Sequence, residues 1–307
     1  MSMTGNASST NLRSSDSYAD PLTEVTPSVK PGTVDKPAVA KSEPGLMQRL
    51  SALELQSFMI GSVSLSAGIL LWYFATEYNF NYFINFENVP SPLKVGAAFM
   101  IHLADPEFYI HISVSIRRIL IAYTIAVVLG VAIGVIVGRS KLARAAVIPY
   151  IEIIRPIPAV AWIPLAILMW PTEESSIVYI TFLGALFPII LNTLHGVEQT
   201  PDVLVRAARS LGASKFAVFW HVVLPAALPS IAAGLAIGMG ISWFSLLAGE
   251  IISGQYGIGY FTWDAYSLIN YPDIVVGMLV IGGLGTLSTY LIKLMMKPAL
   301  RWKEKQR

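Results

Sequence analysis

VVLPAALPSIAAGLAIGMGISWFSLLAG, residues 222–249, holds no acid and no base. A helix crossing the hydrocarbon layer of a bilayer needs about 20 apolar residues, and this stretch exceeds that by itself. It lacks the alternation of a barrel strand, and Gly, Ala, Leu and Ile dominate it, so it reads as a spanning helix. Further uncharged windows lie at 55–76, 119–138, 156–172, 175–194 and 274–292. The window at 156–172 is short only because Glu152 and Arg155 interrupt a longer apolar stretch beginning near Ala145. The pattern predicts an all-α membrane protein with six transmembrane helices.

Charged residues make up 13% of the 307, about half the share of ~25% usual in soluble domains, and 54% are hydrophobic. With a mean hydropathy of +0.61, this excludes a disordered chain, a soluble enzyme of average make-up and a nucleic-acid binder working through a basic surface. A net charge of +2 carries no argument about partners, so the placement of cations matters more than their sum. The absence of cysteine excludes disulfide scaffolds, thiol nucleophiles and Cys-ligated zinc. Residues 1–46 depart from the average, being rich in Ser, Thr and Pro with scattered charges. Such a segment buries too little apolar surface to offset its chain entropy, which predicts a flexible cytoplasmic tail ahead of a transmembrane domain at 47–307. No apolar run follows the start closely enough for a signal peptide.

Lys and Arg placement sets the expected orientation. Arg139, Lys141 and Arg144 follow the second span, and Arg206, Arg209 and Lys215 follow the fourth. Lys293, Lys297, Arg301, Lys303, Lys305 and Arg307 follow the sixth, whereas the loops near 172–175 and 250–273 carry none. Both termini are therefore expected in the cytoplasm. Lys94, Arg117 and Arg118, in the first long connection, run against the trend. Residues 108–118 read as a helical lead-in whose Arg pair sits at the headgroup level.

Chemical motifs are missing. There is no G-x-x-x-x-G-K-[ST] to cradle nucleotide phosphates, no H-E-x-x-H and no G-x-S-x-G elbow. The four histidines (His102, His111, His195, His221) lack zinc-ligand spacing. The informative loop is 197–225, which reads as two short helices. Thr200 is placed to cap the first, Pro201 suits its first turn, and Gly212 suits the left-handed position after its end. Val203, Ala207 and Leu211 recur at fourfold spacing on one face, with Arg206 and Arg209 around the side. Ala207 and Ala208 offer a small surface that lets another backbone approach. Ser214 is placed to cap a second helix carrying Phe216, Phe219 and Val223. Such a helix pair either docks into a partner's groove or lies in the headgroup layer.

Arg206-Ala207-Ala208, then Gly212, then Val222, Leu224 and Pro225, resembles the E-A-A-x3-G-x9-I-x-L-P signature of the permease subunits of bacterial binding-protein-dependent ABC importers. Arg206 stands where that signature names Glu, and Val222 where it names Ile. The segment from Arg155-Pro-Ile-Pro through Trp162-Ile-Pro164 is similar to the R-P-[IV]-P-x-x-A-W-[IL]-P-L segment of the nitrate, sulfonate, taurine and bicarbonate group. Ser242-Trp243 through Gly249-Glu250, followed by Gly257-Ile258-Gly259, is similar to the same group's G-W-x-x-L-V-A-A-E and G-L-G region, with Ser242 for Gly and Gly249 for Ala. The resemblance covers about residues 108–300.

This resemblance implies a type I importer bundle in a bacterial plasma (inner) membrane, passing a small solute of the nitrate, bicarbonate, sulfonate or taurine kind by alternating access. It implies two ATP-binding subunits using ATP and magnesium, a periplasmic or lipid-anchored solute-binding protein and a second permease copy as a homodimer. For this chain itself it implies no catalysis, cofactor, metal or nucleic acid. The coupling residues would be Arg206, Ala207, Ala208, Arg209, Leu211, Gly212 and Ala213. A self-sufficient carrier or channel is the alternative, to be favoured by an internal repeat or many buried charges; neither is evident.

Arg155, Trp162, Ser242, Trp243 and Ser245 are the residues expected along the solute pathway. A third helix starting near Ala145 would carry Arg155 about 15 Å in. Charges at such depth are functional candidates, although Glu152, three residues earlier, is placed to pair with it, and Pro156 and Pro158 break the helix. Trp162 and Trp243 serve either packing or pore lining, Ser242 and Ser245 offer hydroxyls, and Trp170 suits the interfacial belt. Glu250, near the outer face, suits capping or ion pairing. Gly130, Gly134 and Gly138, like Gly234, Gly238 and Gly240, have the spacing of close helix packing.

Overall fold

The structure, a computed structural model, describes residues 46–79 and 86–300. The expected tail therefore lies outside the described residues but for its last position, as do the cations after 300. The chain divides into two compact units, Met1–Phe58 and Met59–Arg307. Of the first, only helical backbone at 46–58 is described; the second holds everything discussed below.

All regular structure among the described residues is helical: α1 (Leu46–Glu77), α2 (Pro92–His102), α3 (Pro106–Arg139), α4 (Lys141–Ile154), a 3-10 turn (Ala159–Trp162) and α5 (Ile163–Met169). Then come α6 (Glu173–Glu198), α7 (Asp202–Ser210), α8 (Lys215–Val218), a π-helical turn (Phe219–Val223), α9 (Leu224–Ser253), α10 (Ile258–Ser267) and α11 (Tyr271–Met296). Five helical stretches are long and apolar enough to cross a membrane: 56–77, 106–139, 173–198, 215–252 and 271–296. Large apolar side chains such as Leu120, Ile121, Ile125 and Val128 of α3 remain exposed, as a hydrocarbon surround requires.

The third expected span differs. α4 and the stretch 159–169 together pass the same test, but they meet at a bend of 87°. Pro156 and Pro158 lack the N–H groups that would continue α4, so the chain turns at Arg155 instead of running straight through. The six apolar segments are thus five continuous helical stretches and one elbow.

Caps fix the breaks between helices. Asp105 accepts the Glu107 N–H at 2.9 Å to start α3, and Ser140 accepts the Ala143 N–H at 3.2 Å to start α4. Thr172 and Ser175 satisfy each other's backbone in a reciprocal box before α6. The centre of the bundle is α3, α6 and α9, whose buried side chains include Ile119, Tyr123, Ile177, Ile189, Met239 and Leu246. Tyr123 lashes α3 to α9 by donating to the Leu235 carbonyl at 2.7 Å. Glycines let α3 and α6 close up: a Cβ on Gly134 would stand 2.6 Å from Thr193 Cβ. Gly130, Gly138, Gly234 and Gly238 are crowded likewise, but no atom of the described residues lies within 4 Å of a would-be Cβ on Gly240, so the expected close packing is not found there among them.

Candidate functional site

Three places along the bundle gather the informative side chains: α7 at one end, a cavity at mid-height and a buried ionic cluster at the opposite end.

α7 starts one residue later than expected. Pro201 occupies the position before the first helical residue, so Thr200 does not cap, and its buried hydroxyl has no hydrogen-bond partner. The far end follows expectation. Gly212 is left-handed at φ +85°, its N–H reaches the Arg209 carbonyl at 2.9 Å, and the Ala213 N–H reaches Ala208 at 3.1 Å. That pair of bonds is the Schellman closure, which a residue with a Cβ adopts only under strain. Ser214 then accepts the Ala217 N–H at 3.2 Å. The second short helix of the loop is not separate: α8, the π turn and α9 form one helical stretch, 215–252. The wide turn lies just before Pro225, whose missing N–H leaves the His221 carbonyl without its usual donor.

Val205, Ala208 and Ala213 pack onto Val197, Val218 and Val223, at the ends of α6 and of the α8–α9 rod. The opposite face of α7 is uncovered. Val203, Leu204 and Leu211 are exposed there, Leu211 at 89%, together with Arg206, Ala207, Arg209 and Gly212. Of the residues expected to couple, Ala208 and Ala213 thus turn towards the bundle and the others away. Beside α7, Arg144 pairs with Glu198, joining α4 to the end of α6.

A cavity of about 510 Å³ lies between the elbow, α6 and α9. Its walls include Arg155, Trp162, Gly184, Phe187, Phe244 and Ser245, and Arg155 is the one charged residue among them. Gly184 and Phe187 belong to the middle of α6, which places the cavity at mid-height. Arg155 closes α4, exposed, and among the described residues it has no ion pair with Glu152 or any other carboxylate. Ser245 Oγ is buried without a hydrogen-bond partner. Ser242 Oγ is also buried and unpartnered, but it lies outside these walls. Trp243 points away, its Nε1–H donating to Ser288 Oγ at 2.8 Å, beside a second cavity between α9 and α11. The structure therefore brings Arg155, Trp162 and Ser245 together and leaves Ser242 and Trp243 apart.

Sequence reasoning missed the third place. Arg118, expected at the headgroup level, is turned into the bundle and 5% exposed. Its Nε and Nη2 donate to Glu174 Oε2 at 2.8 and 2.6 Å, and its Nη1 donates to Glu250 Oε1 at 3.0 Å and to the Tyr256 carbonyl at 2.5 Å. Arg117, largely exposed, donates to the other Glu174 oxygen at 2.7 Å. Glu250, at 1% exposure, also accepts from Ser115 Oγ at 2.8 Å and from the Gly259 N–H at 2.9 Å. Ser115 in turn accepts the Ile258 N–H at 2.9 Å, and His111 Nδ1 accepts the Gly257 N–H at 3.1 Å. Ion pairing, one of the two roles expected of Glu250, is realised.

Two guanidiniums and two carboxylates cancel, and nearly every lone pair is occupied, which is what makes buried charge tolerable. Gly257 sits at φ +123°, and a side chain there would strike the Glu250 carboxylate. One signal was readable. His111, Ser115 and Arg118 form a polar stripe at spacings of four and three on the mostly apolar buried face of α3.

Residues 126–301 match the family described as the inner membrane component of binding-protein-dependent transport systems. The nitrate import permease protein NrtB of Synechocystis is 34% identical over 209 residues, 65% of this chain and 76% of its own length. The bicarbonate transport system permease protein CmpB of Synechococcus elongatus is 36% identical over 188 residues, 61% and 68% of the two chains. The fold is similar to a chain of the MetNI methionine ABC transporter in an inward-facing form, with a TM-score of 0.50 and 21% identity over 64% of this chain and 97% of that one. At that identity the likeness speaks for the fold alone.

Proposed function

Because this chain belongs to the inner membrane component family of binding-protein-dependent transport systems, and so is an ABC importer permease rather than an enzyme, we propose that its solute is a small anion of the nitrate, bicarbonate, sulfonate or taurine kind. Two copies pair in the inner membrane with their termini in the cytoplasm. Separate ATPase subunits, using ATP and magnesium, bind at α7, and an external solute-binding protein delivers the anion at the other end. Closure of the ATPases is passed through α7 to the α6 and α8–α9 ends on which it rests, opening the pathway alternately to each side.

The observation that carries the choice of solute is Arg155, a lone cation in the wall of a mid-height cavity. A charge held there without a carboxylate is costly unless something anionic visits it. Its planar fork suits a trigonal oxyanion, and two relatives are named for nitrate and bicarbonate. Trp162, Phe187 and Phe244 make the wall around it largely apolar. The test is uptake of labelled nitrate, bicarbonate and taurine by proteoliposomes holding the permease, its ATPase and its binding protein. Uptake that needs ATP and all three components, for at least one of these three solutes, each of which carries an anionic group, is expected. Uptake by this chain alone, or of uncharged solutes only, overturns the proposal.

A further inference from the structure

The uncovered face of α7 has two unlike flanks. Arg206 and Arg209, three residues apart, stack along one of them, and both are exposed. Neither has an ion pair among the described residues. Asp202, four residues before Arg206 on the same flank, makes none with it. Leu204 and Leu211, seven apart, share the other flank and are 51% and 89% exposed. Val203 and Ala207 lie between the two flanks, and the small side chain of Ala207 leaves room for a close approach.

The face opposite is already committed, since Val205 and Ala208 rest on the ends of α6 and the α8–α9 rod. α7 thus rests on the ends of two spanning segments, and its free face turns away from them. Free cations and free leucines on that face call for a protein groove with one charged wall and one apolar wall.

We infer that the ATPase groove receiving α7 is two-sided, with carboxylates along the wall that meets Arg206 and Arg209 and aliphatic or aromatic side chains along the wall that meets Leu204 and Leu211. This rests on the proposal that α7 is the docking element. The arginine side steers encounter and fixes the direction in which α7 lies, and the leucine side holds the complex once formed.

The experiment measures binding of the importer's own ATPase subunit to the full-length permease in nanodiscs, between about 50 and 300 mM salt. Arg206→Glu with Arg209→Glu is expected to weaken binding about tenfold or more at low salt and to flatten the salt dependence. Arg206→Lys with Arg209→Lys should keep most of both, which separates charge from damage to the fold. Leu204→Ser with Leu211→Ser should weaken binding equally at every salt concentration. If the charge reversal leaves affinity and salt slope unchanged while the leucine pair matters, the acidic wall is wrong and the docking role stands. If neither pair matters, docking through α7 fails as well. Loss of binding to anionic-lipid vesicles alone, with ATPase affinity intact, assigns the arginines to the membrane surface and also overturns the inference.

Discussion

Arg118 and Glu250 lie 132 residues apart in the chain, yet they meet at 3.0 Å with their side chains 6% and 1% exposed. Removing Arg118 leaves the Glu250 carboxylate buried without its counter-ion, whereas removing Glu250 leaves Arg118 still paired with Glu174. Arg118→Met should lower stability by about 3 kcal/mol or more and Glu250→Leu by less, since Arg118 keeps Glu174, and the double variant should lose less than the two single losses added together. Thermal unfolding of the purified protein in nanodiscs measures this. Additive losses would mean that the two residues do not act as a pair.

Gly257 provides a second test of the same cluster. An Ala there must hold a left-handed backbone and place its methyl against the Glu250 carboxylate, so Gly257→Ala should cost at least 2 kcal/mol, to order of magnitude. Gly282→Ala, where a Cβ meets nothing within 4 Å, should be neutral within about 0.5 kcal/mol. Equal unfolding midpoints for the two variants would refute the crowding around Glu250.

At mid-height, Arg155→Ala should lower anion uptake at least tenfold, on the order of the 1–3 kcal/mol that a charge-assisted contact supplies. Assembly with the ATPase and basal ATP turnover should remain. Glu152→Gln should leave uptake unchanged, because Glu152 makes no ion pair with Arg155. An Arg155→Ala variant that transports normally would remove this residue from the pathway.

On α7, Gly212→Val strains the helix closure and Ala207→Trp crowds the free face, while neither touches the cavity. Both variants should uncouple the motor: ATP hydrolysis continues while uptake falls about tenfold or more. Measuring the two rates in the same proteoliposomes checks it. Uptake falling in strict proportion to hydrolysis would place the fault in the motor rather than in the coupling.

The spans were legible because burial in hydrocarbon forbids charge over about 20 residues, a constraint visible in composition alone. The Gly212 closure was legible because it is local, each of its bonds lying within five residues. What could not be read depends on partners far away in the chain. That Arg118 turns into the bundle was not legible because Glu174 and Glu250 stand 56 and 132 residues on. Trp243, expected in packing or along the pathway, gives its N–H to Ser288 on α11, a partner 45 residues away that the local sequence does not announce. Pro156 and Pro158 announced a break after Arg155, but the size of the bend depends on how the following stretch packs against α6 and α9.

The distance along the chain between Arg118 and its counter-ions bears on biogenesis. A growing chain delivers Arg117 and Arg118 to the membrane first, the Glu174 carboxylate 56 residues after Arg118, and the Glu250 carboxylate last. Until translation has passed Glu250, the nascent helix carries a cation with no complete set of partners, and the glycine turn that seals the cluster has not been made. α3 therefore reaches its final seat late, and a chain arrested before residue 250 would expose that defect to quality-control proteases.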